Sequence, residues 1–365
     1  MIKPPLTSIL YYITGHGFGH AVRSHQVIRA LYERRRDLRI HARTTAPDWL
    51  FFHSPAPVVY SRQALDIGII QPDSLAMDIE ATVDACRKVH EQKDEIVERE
   101  LAFVRANGIR LIVGDTPPLC FEIAARAAIP SVSITNFTWD VIYRAYAKTR
   151  GDFPSLIDEM TAFYAKATLA LTLPYPCDTT MFMRCRPIPW ITRSSPLTKQ
   201  AARKKLGLPA AATIALLSFG GLGLARLPWT KLSQQREFVF VGTGALDPAG
   251  ANLRFFADRQ SQYEDLVRAC DVIVSKPGYG IVADVLSHKV PLLYTDRGEF
   301  PEYPRLVRAL HDCATSAYIS QDELLGGDLA PHLISLLNQQ PHWPEIDLSG
   351  AERAADELLN LLDAC

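Results

Sequence analysis

Short apolar runs alternate along the chain with longer segments whose apolar positions recur at helical spacing. In the first half the runs are SILYYIT, RIHART, IRLIVGD, IPSVSIT and LALTLP. SILYYIT is a short, β-rich apolar run, and all five runs are read as strands in this alternation. Between them, GHAVRSHQVIRALYERR places Val22, Ile28, Leu31 and Tyr32 near one helical face. DIEATVDACRKVHEQKDEIVERELAFVRANG predicts one long charged helix ending at Asn107 and Gly108, and PLCFEIAARAA predicts another helix. Strands alternating with helices predict a parallel sheet covered on both faces.

Proline density then rises through LPYPCDTTMFMRCRPIPWITRSSP, which predicts the end of one domain and a linker. A second alternating series follows: TKQAARKKLGLP, ATIALLSFGG, EFVFVGTG, YEDLVRACDVIVSKPGYG, IVADVLSHK, VPLLYTD and YPRLVRALHD. It closes with helices around Leu324–Asn338 and Ala351–Leu362. The expectation is therefore an α/β chain of two Rossmann-like domains, residues 1–190 and 191–348, with parallel sheets facing across a cleft. A C-terminal helix, 349–365, is expected to pack back on the first domain.

Composition narrows the function. The 365 residues are 48% hydrophobic, enough for two cores. A formal net charge of -1 provides no basic footprint for nucleic acid. The locally basic RALYERRRDLR suits a helix end, where cations meet the dipole. Seven scattered cysteines without a C-x-x-C pair point to reduced thiols rather than a disulfide frame or zinc site. No apolar run approaches the ~20 residues of a membrane span. The N-terminus lacks a signal-peptide pattern, so the expected location is cytoplasmic. FTWDVIYRAY and MFMRCRPIPWI are aromatic and partly basic; membrane-surface contact is the weaker reading, and core or linker packing the stronger.

Candidate chemistry lies in four turns, because open α/β sheets bind ligands at the carboxyl ends of their strands. These turns are TGHGFGH, GDTPP, SFGGLG and SKPGYG. In SKPGYG, Ser275 ends a strand, and Gly278 and Gly280 let backbone N–H groups approach an anion at a helix start. Lys276 adds charge, and Asp284 lies further along the helix, where it could accept ribose hydroxyls. In SFGGLG, Ser218, Gly220 and Gly221 form a second amide-exposing turn, but no G-K-[ST] follows. TGHGFGH lacks the dinucleotide fingerprint, and its glycines make His16, His20 and His25 poor partners in a metal site. What remains is a histidine presented as a general base. Asp115, at the end of IRLIVGD, is the candidate carboxylate to orient it; the plainer role for Asp115 is a turn or cap before TPPL.

Together these features resemble a GT-B glycosyltransferase. The likeness is to inverting nucleotide-sugar enzymes such as the peptidoglycan N-acetylglucosaminyltransferase and the UDP-glucuronosyltransferases. GHGFGHAVRS, NFTWDVIY and SKPGYGIVADVLSHKVPLLYTDRGEF also resemble the GT-B-like N-terminal region of plant L-arabinokinases, over nearly the whole chain. The resemblance implies His20 as catalytic base and Asp115 as its orienting acid. It implies Gly220 and Gly221 in the diphosphate loop and Gly278 and Gly280 at the phosphate-binding helix start. Ser218, Ser275, Lys276, Gly17 and Gly19 complete the donor-binding set. Asp284 stands where the family holds the ribose with Glu, one methylene shorter; Glu302, with Glu299, falls toward the sugar. The glutamine pair of the glucosyltransferases is absent, so the donor sugar is not legible.

The activity implied is inverting transfer from a nucleotide-diphosphate sugar, UDP-linked by preference, to an acceptor hydroxyl. It implies no metal and no cofactor beyond the donor co-substrate. One rival is a sugar-nucleotide epimerase or hydrolase using Asp296, Glu299 and Glu302. The other is a non-catalytic sugar-nucleotide-binding module.

Overall fold

The computed structural model describes residues 6–51, 55–72, 76–147, 153–220, 227–244, 250–257 and 263–364. These residues fall into two compact units. The first comprises Met1–Ile70, Met77–Ile191 and Asp347–Cys365; the second comprises Gln71–Ala76 and Thr192–Ile346.

The first unit is built on strands β1 (Thr7–Ile13), β2 (Leu38–Thr44), β3 (Val58–Arg62), β4 (Ile109–Asp115), β5 (Ser131–Thr135), β6 (Leu169–Thr172) and β7 (Cys185–Pro187). All are parallel, in the order β3-β2-β1-β4-β5-β6-β7. Helix α1 (Phe18–Arg34) follows β1, and α2 (Ile79–Glu91) and α3 (Lys93–Ala106) precede β4. Then come α4 (Leu119–Arg126), α5 (Trp139–Arg144) and α6 (Phe153–Tyr164). The order reverses between β1 and β4, the topological switch point where open α/β sheets form their crevice. Leu10, Tyr12, Ile112, Phe121, Ile123 and Tyr164 are among the buried side chains of one core cluster here.

One expectation is corrected in this unit. The long helix is two helices, broken at Gln92 (φ -95°, ψ 1°). Between Val89 and Ile96 the sequence is HEQKDE, with no apolar side chain to bury, so nothing holds the helix straight. The break lets Val83 and Cys86 pack from α2, and Ile96, Val97 and Leu101 from α3. The proline-rich stretch carries β7, an exposed edge strand, and runs past Ile191, where the middle segment of the first unit ends. Phe137, Trp139 and Tyr143 of the first aromatic segment are buried at 2%, 0% and 2% exposure, so they pack in the core rather than forming a surface face.

The second unit repeats the plan. Its strands are β8 (Thr213–Ser218), β9 (Phe238–Thr243), β10 (Leu253–Phe256), β11 (Val272–Ser275), β12 (Leu292–Tyr294) and β13 (Ser316–Tyr318), all parallel. The order β10-β9-β8-β11-β12-β13 puts the switch point between β8 and β11. The helices are α7 (Lys199–Lys205), α8 (Trp229–Leu232), α9 (Tyr263–Ala269), α10 (Tyr279–His288), α11 (Tyr303–Cys313), α12 (Gln321–Gly326) and α13 (Ala330–Leu337).

The last helix, α14 (Gly350–Asp363), belongs to the first unit and packs on α1. Arg34 Nε donates to Asp356 Oδ1 at 2.6 Å, and Arg35 Nη1 to Asp363 Oδ1 at 2.6 Å. Its entry is fixed by an antiparallel bridge between Ile191 and Ser349. A Cβ at Gly350 would lie 2.2 Å from the Pro189 carbonyl oxygen, so only glycine permits this approach.

Candidate active site

In the first unit the site forms at the switch point. Thr14 N–H donates to the Asp115 carbonyl at 2.7 Å, tying the ends of β1 and β4 together. The chain turns through Gly17, the N-cap of α1, at φ 76°, a backbone region that side chains resist. Gly19 and His20 therefore fall in the first helical turn. His20 Nδ1 lies 2.8 Å from Asp115 Oδ1. Three residues on, and so on the same face, Arg23 donates from Nε to Asp115 Oδ2 at 2.6 Å and from Nη2 to Oδ1 at 2.5 Å. Its Nη1 donates to Asn136 Oδ1 at 2.7 Å, and Ser24 Oγ donates to Asp115 Oδ2 at 3.1 Å. His20, Arg23 and Asp115 are 8%, 3% and 1% exposed. Burial alone would raise the Asp115 carboxyl, but the charge of Arg23, then that of His20, and their hydrogen bonds hold it at about 2.

The other two histidines lead elsewhere. His16 meets the Trp139 ring edge-on at 5.3 Å, and His25 packs against Phe51 at 5.9 Å. Trp139 Nε1 donates to Asp66 Oδ2 at 2.7 Å. Burial pushes the Asp66 carboxyl up to about 6, opposed by hydrogen bonds from Thr14 and Trp139 and reinforced by the charge of Asp115. Arg23, Asn136 and Asp66 are absent from the sequence-based assignment. Arg23 had a legible signal, its i+3 spacing from His20; Asn136 and Asp66 are joined to the site only by the sheet.

In the second unit the two turns meet at the other switch point. Ser218 and Ser275 are register partners at the ends of β8 and β11, and Ser275 Oγ donates to the Ser218 carbonyl. Gly220 is exposed just beyond β8; Gly221 lies outside the described residues. Gly278 is the N-cap of α10, and Gly280 lies in its first turn. A Cβ at Gly278 would meet nothing within 4 Å. Burial, then the nearby charge of Arg297, pushes the Lys276 ammonium down to about 7.

Glu302, 2% exposed, receives Arg297 Nη1 at 2.5 Å, whereas Glu299 is exposed. Asp284 is not an open acceptor: it is 3% exposed and takes Arg193 Nε and Nη2, each at 3.0 Å. That guanidinium also stacks on Tyr263 at 4.4 Å. Arg193 sits in the proline-rich stretch, where no local pattern marks it.

Two Rossmann-like units of the same strand order, each with its polar cluster at the switch point, define the chain as a GT-B glycosyltransferase fold. The sequence profile of glycosyl transferase family 1 matches residues 7–299, and the chain belongs to that family. It is 30% identical over 352 residues to an L-arabinokinase of Arabidopsis thaliana, covering 94% of this chain. It spans about a third of that relative's length (33%).

Among solved structures it is similar to the kitacinnamycin glycotransferase, with a TM-score of 0.62 and 16% identity over 99% of this chain and 96% of the other. It is also similar to a UDP-glucosyltransferase from Polygonum tinctorium (TM-score 0.60, 13% identity, 99% and 94% covered). A third similar structure is S. aureus MnaA in complex with UDP (TM-score 0.61, 13% identity, 98% of each chain).

Proposed function

We propose that this chain transfers a sugar from a nucleotide-diphosphate donor, UDP-linked by preference, to an acceptor hydroxyl with inversion at the anomeric carbon. The observation that carries this reading is the 2.8 Å contact between His20 Nδ1 and Asp115 Oδ1, at the end of a glycine turn. With its proton on Nδ1, directed at the carboxylate, the imidazole offers the Nε2 lone pair to an acceptor hydroxyl. His20 takes that proton as the oxygen attacks the anomeric carbon, and the nucleoside diphosphate departs from the opposite face. Preorganised amides at Gly278 and Gly280, with Lys276, stabilise the charge growing on the leaving group. The acceptor belongs to the first unit and the donor to the second. This scheme requires no metal.

The test sets His20→Ala beside His16→Ala, measuring nucleotide affinity by calorimetry and transfer by product formation over a panel of UDP-sugars and acceptors. Turnover in His20→Ala should fall by ~10²–10⁴-fold, the usual worth of a general base, with nucleotide affinity retained. His16→Ala should lose less. Wild-type turnover in His20→Ala removes the base. Release of UDP with an epimerised sugar, in the absence of acceptor, points instead to a sugar-nucleotide epimerase.

A further inference from the structure

A His–Asp pair alone stabilises the imidazolium, because the carboxylate charge is unbalanced. Here it is balanced. The Arg23 guanidinium takes both Asp115 oxygens at 2.6 and 2.5 Å, and the same Nη2 lies 3.0 Å from His20 Nδ1. Asn136 fixes the remaining arm of the fork at 2.7 Å. All four side chains are buried to within a few percent of full exclusion from solvent. In such surroundings a unit charge a few ångströms away acts at an effective dielectric near ~20 and is worth several times its value in water.

We propose that Arg23 is a positioning residue that keeps His20 neutral: it neutralises Asp115 while leaving it able to orient the imidazole, and it sets a fixed positive charge against the imidazolium. This deepens the reading of His20 as base, and its activity arm rests on that reading. A neutral imidazole at working pH is the form that can accept the acceptor's proton. The arginine thus trades some basicity for a larger fraction of enzyme in the reactive state.

Among the described residues, groups from several elements bear on His20. From α1 there is Arg23, and from β4, Asp115; from β1, the buried Tyr11 phenol bears on Asp115, and burial, then that charge, hold it well above its ordinary range. After β5, Phe137 contributes an uncharged ring at 5.5 Å. Asp66 acts at one remove, through its charge repulsion with Asp115. Any ionisation near pH 6 must therefore be separated from Asp66, and Asp66→Asn serves as that control.

The experiment is an NMR titration of the His20 imidazole in protein labelled with 15N-histidine, read beside the pH profile of kcat/KM. In Arg23→Gln the His20 midpoint should rise by about one to two pH units, with the acid limb of kcat/KM moving with it. In Arg23→Lys, which keeps the charge and loses the fork, the midpoint should stay within about half a unit of wild type. If Arg23→Gln does not fold, the Asp115→Asn/Arg23→Gln double variant, which leaves neither of the two charges unpaired, is compared with Asp115→Asn. The double variant should then titrate about one unit higher. A midpoint unmoved by loss of the guanidinium overturns the proposal, as does a rate loss uniform across pH with no change in titration. A midpoint that moves while transfer stays unaffected at every pH supports Arg23 as the tuner and removes His20 as the base.

Discussion

Lys276 is half-buried beside Arg297, and an ammonium so placed is the side chain most sensitive to the arrival of an anion. With its titration near 7, it is charged below neutrality and increasingly neutral above. Nucleoside-diphosphate affinity should therefore fall between about pH 6 and pH 8.5, and Lys276→Met should flatten that part of the dependence. Calorimetry in buffers of different ionisation enthalpy should also show a proton taken up on binding near pH 7. Asp66 carries the opposite consequence for stability. Its folded-state titration is raised to about 6, so the folded protein binds the proton more tightly than the unfolded chain. That contribution is fully present below about pH 4 and is lost as pH rises through about 6. Asp66→Asn should accordingly gain thermal stability relative to wild type at pH 7.5 but not at pH 4, read from melting midpoints. At this scale the sequence was half legible. His20 and Asp115 stand out because each ends a strong local pattern, a glycine turn and an apolar run. Asp66, Asn136 and Arg193 have no local pattern, and only pairing between distant strands and helices gives them partners.

Helix starts organise both polar clusters, and they make different demands on glycine. At Gly278 the backbone is extended and a Cβ would meet no atom, so Gly278→Val should fold with an unchanged melting midpoint. Its side chain would cover the amides of α10, and nucleotide affinity should fall at least tenfold; unchanged affinity in calorimetry removes the phosphate role. At Gly17 the demand is conformational. Gly17→Ala must hold φ 76° at a cost of ~1–2 kcal/mol, measurable by denaturant unfolding, although a Cβ there also meets nothing. The elements that sequence patterns place well are those with a buried apolar run, such as β1, β4, β8 and β11. β3 shows no buried run, β7 is an exposed edge, β10 buries only Leu253, and no residue of β13 is buried. Such strands are defined by the neighbour they pair with more than by their own side chains.

On the scale of the molecule, the chain builds one strand order twice and then returns to its first unit. No helix among the described residues is long and apolar enough to cross a membrane. The returning helix buries Leu358 and Leu362 with Ala351, Ala354 and Ala355, and its two leucines alone are worth ~3–6 kcal/mol of apolar burial. Deleting residues 347–365 should therefore destabilise the first unit selectively. Hydrogen exchange should rise along α1 and the β1–β2 region while β8 and β11 keep their protection. The same return imposes an order in time. A ribosome adds ~5–20 residues per second, and all of Thr192–Ile346 must be made before α14 emerges. For on the order of ten seconds or more the nascent first unit waits with the side of α1 that α14 packs against uncovered. The second unit, later in sequence, has all of its residues in hand before the first unit does. The unit that carries His20 is thus the last to be completed, and during synthesis its exposed α1 face is the surface a nascent-chain chaperone would find.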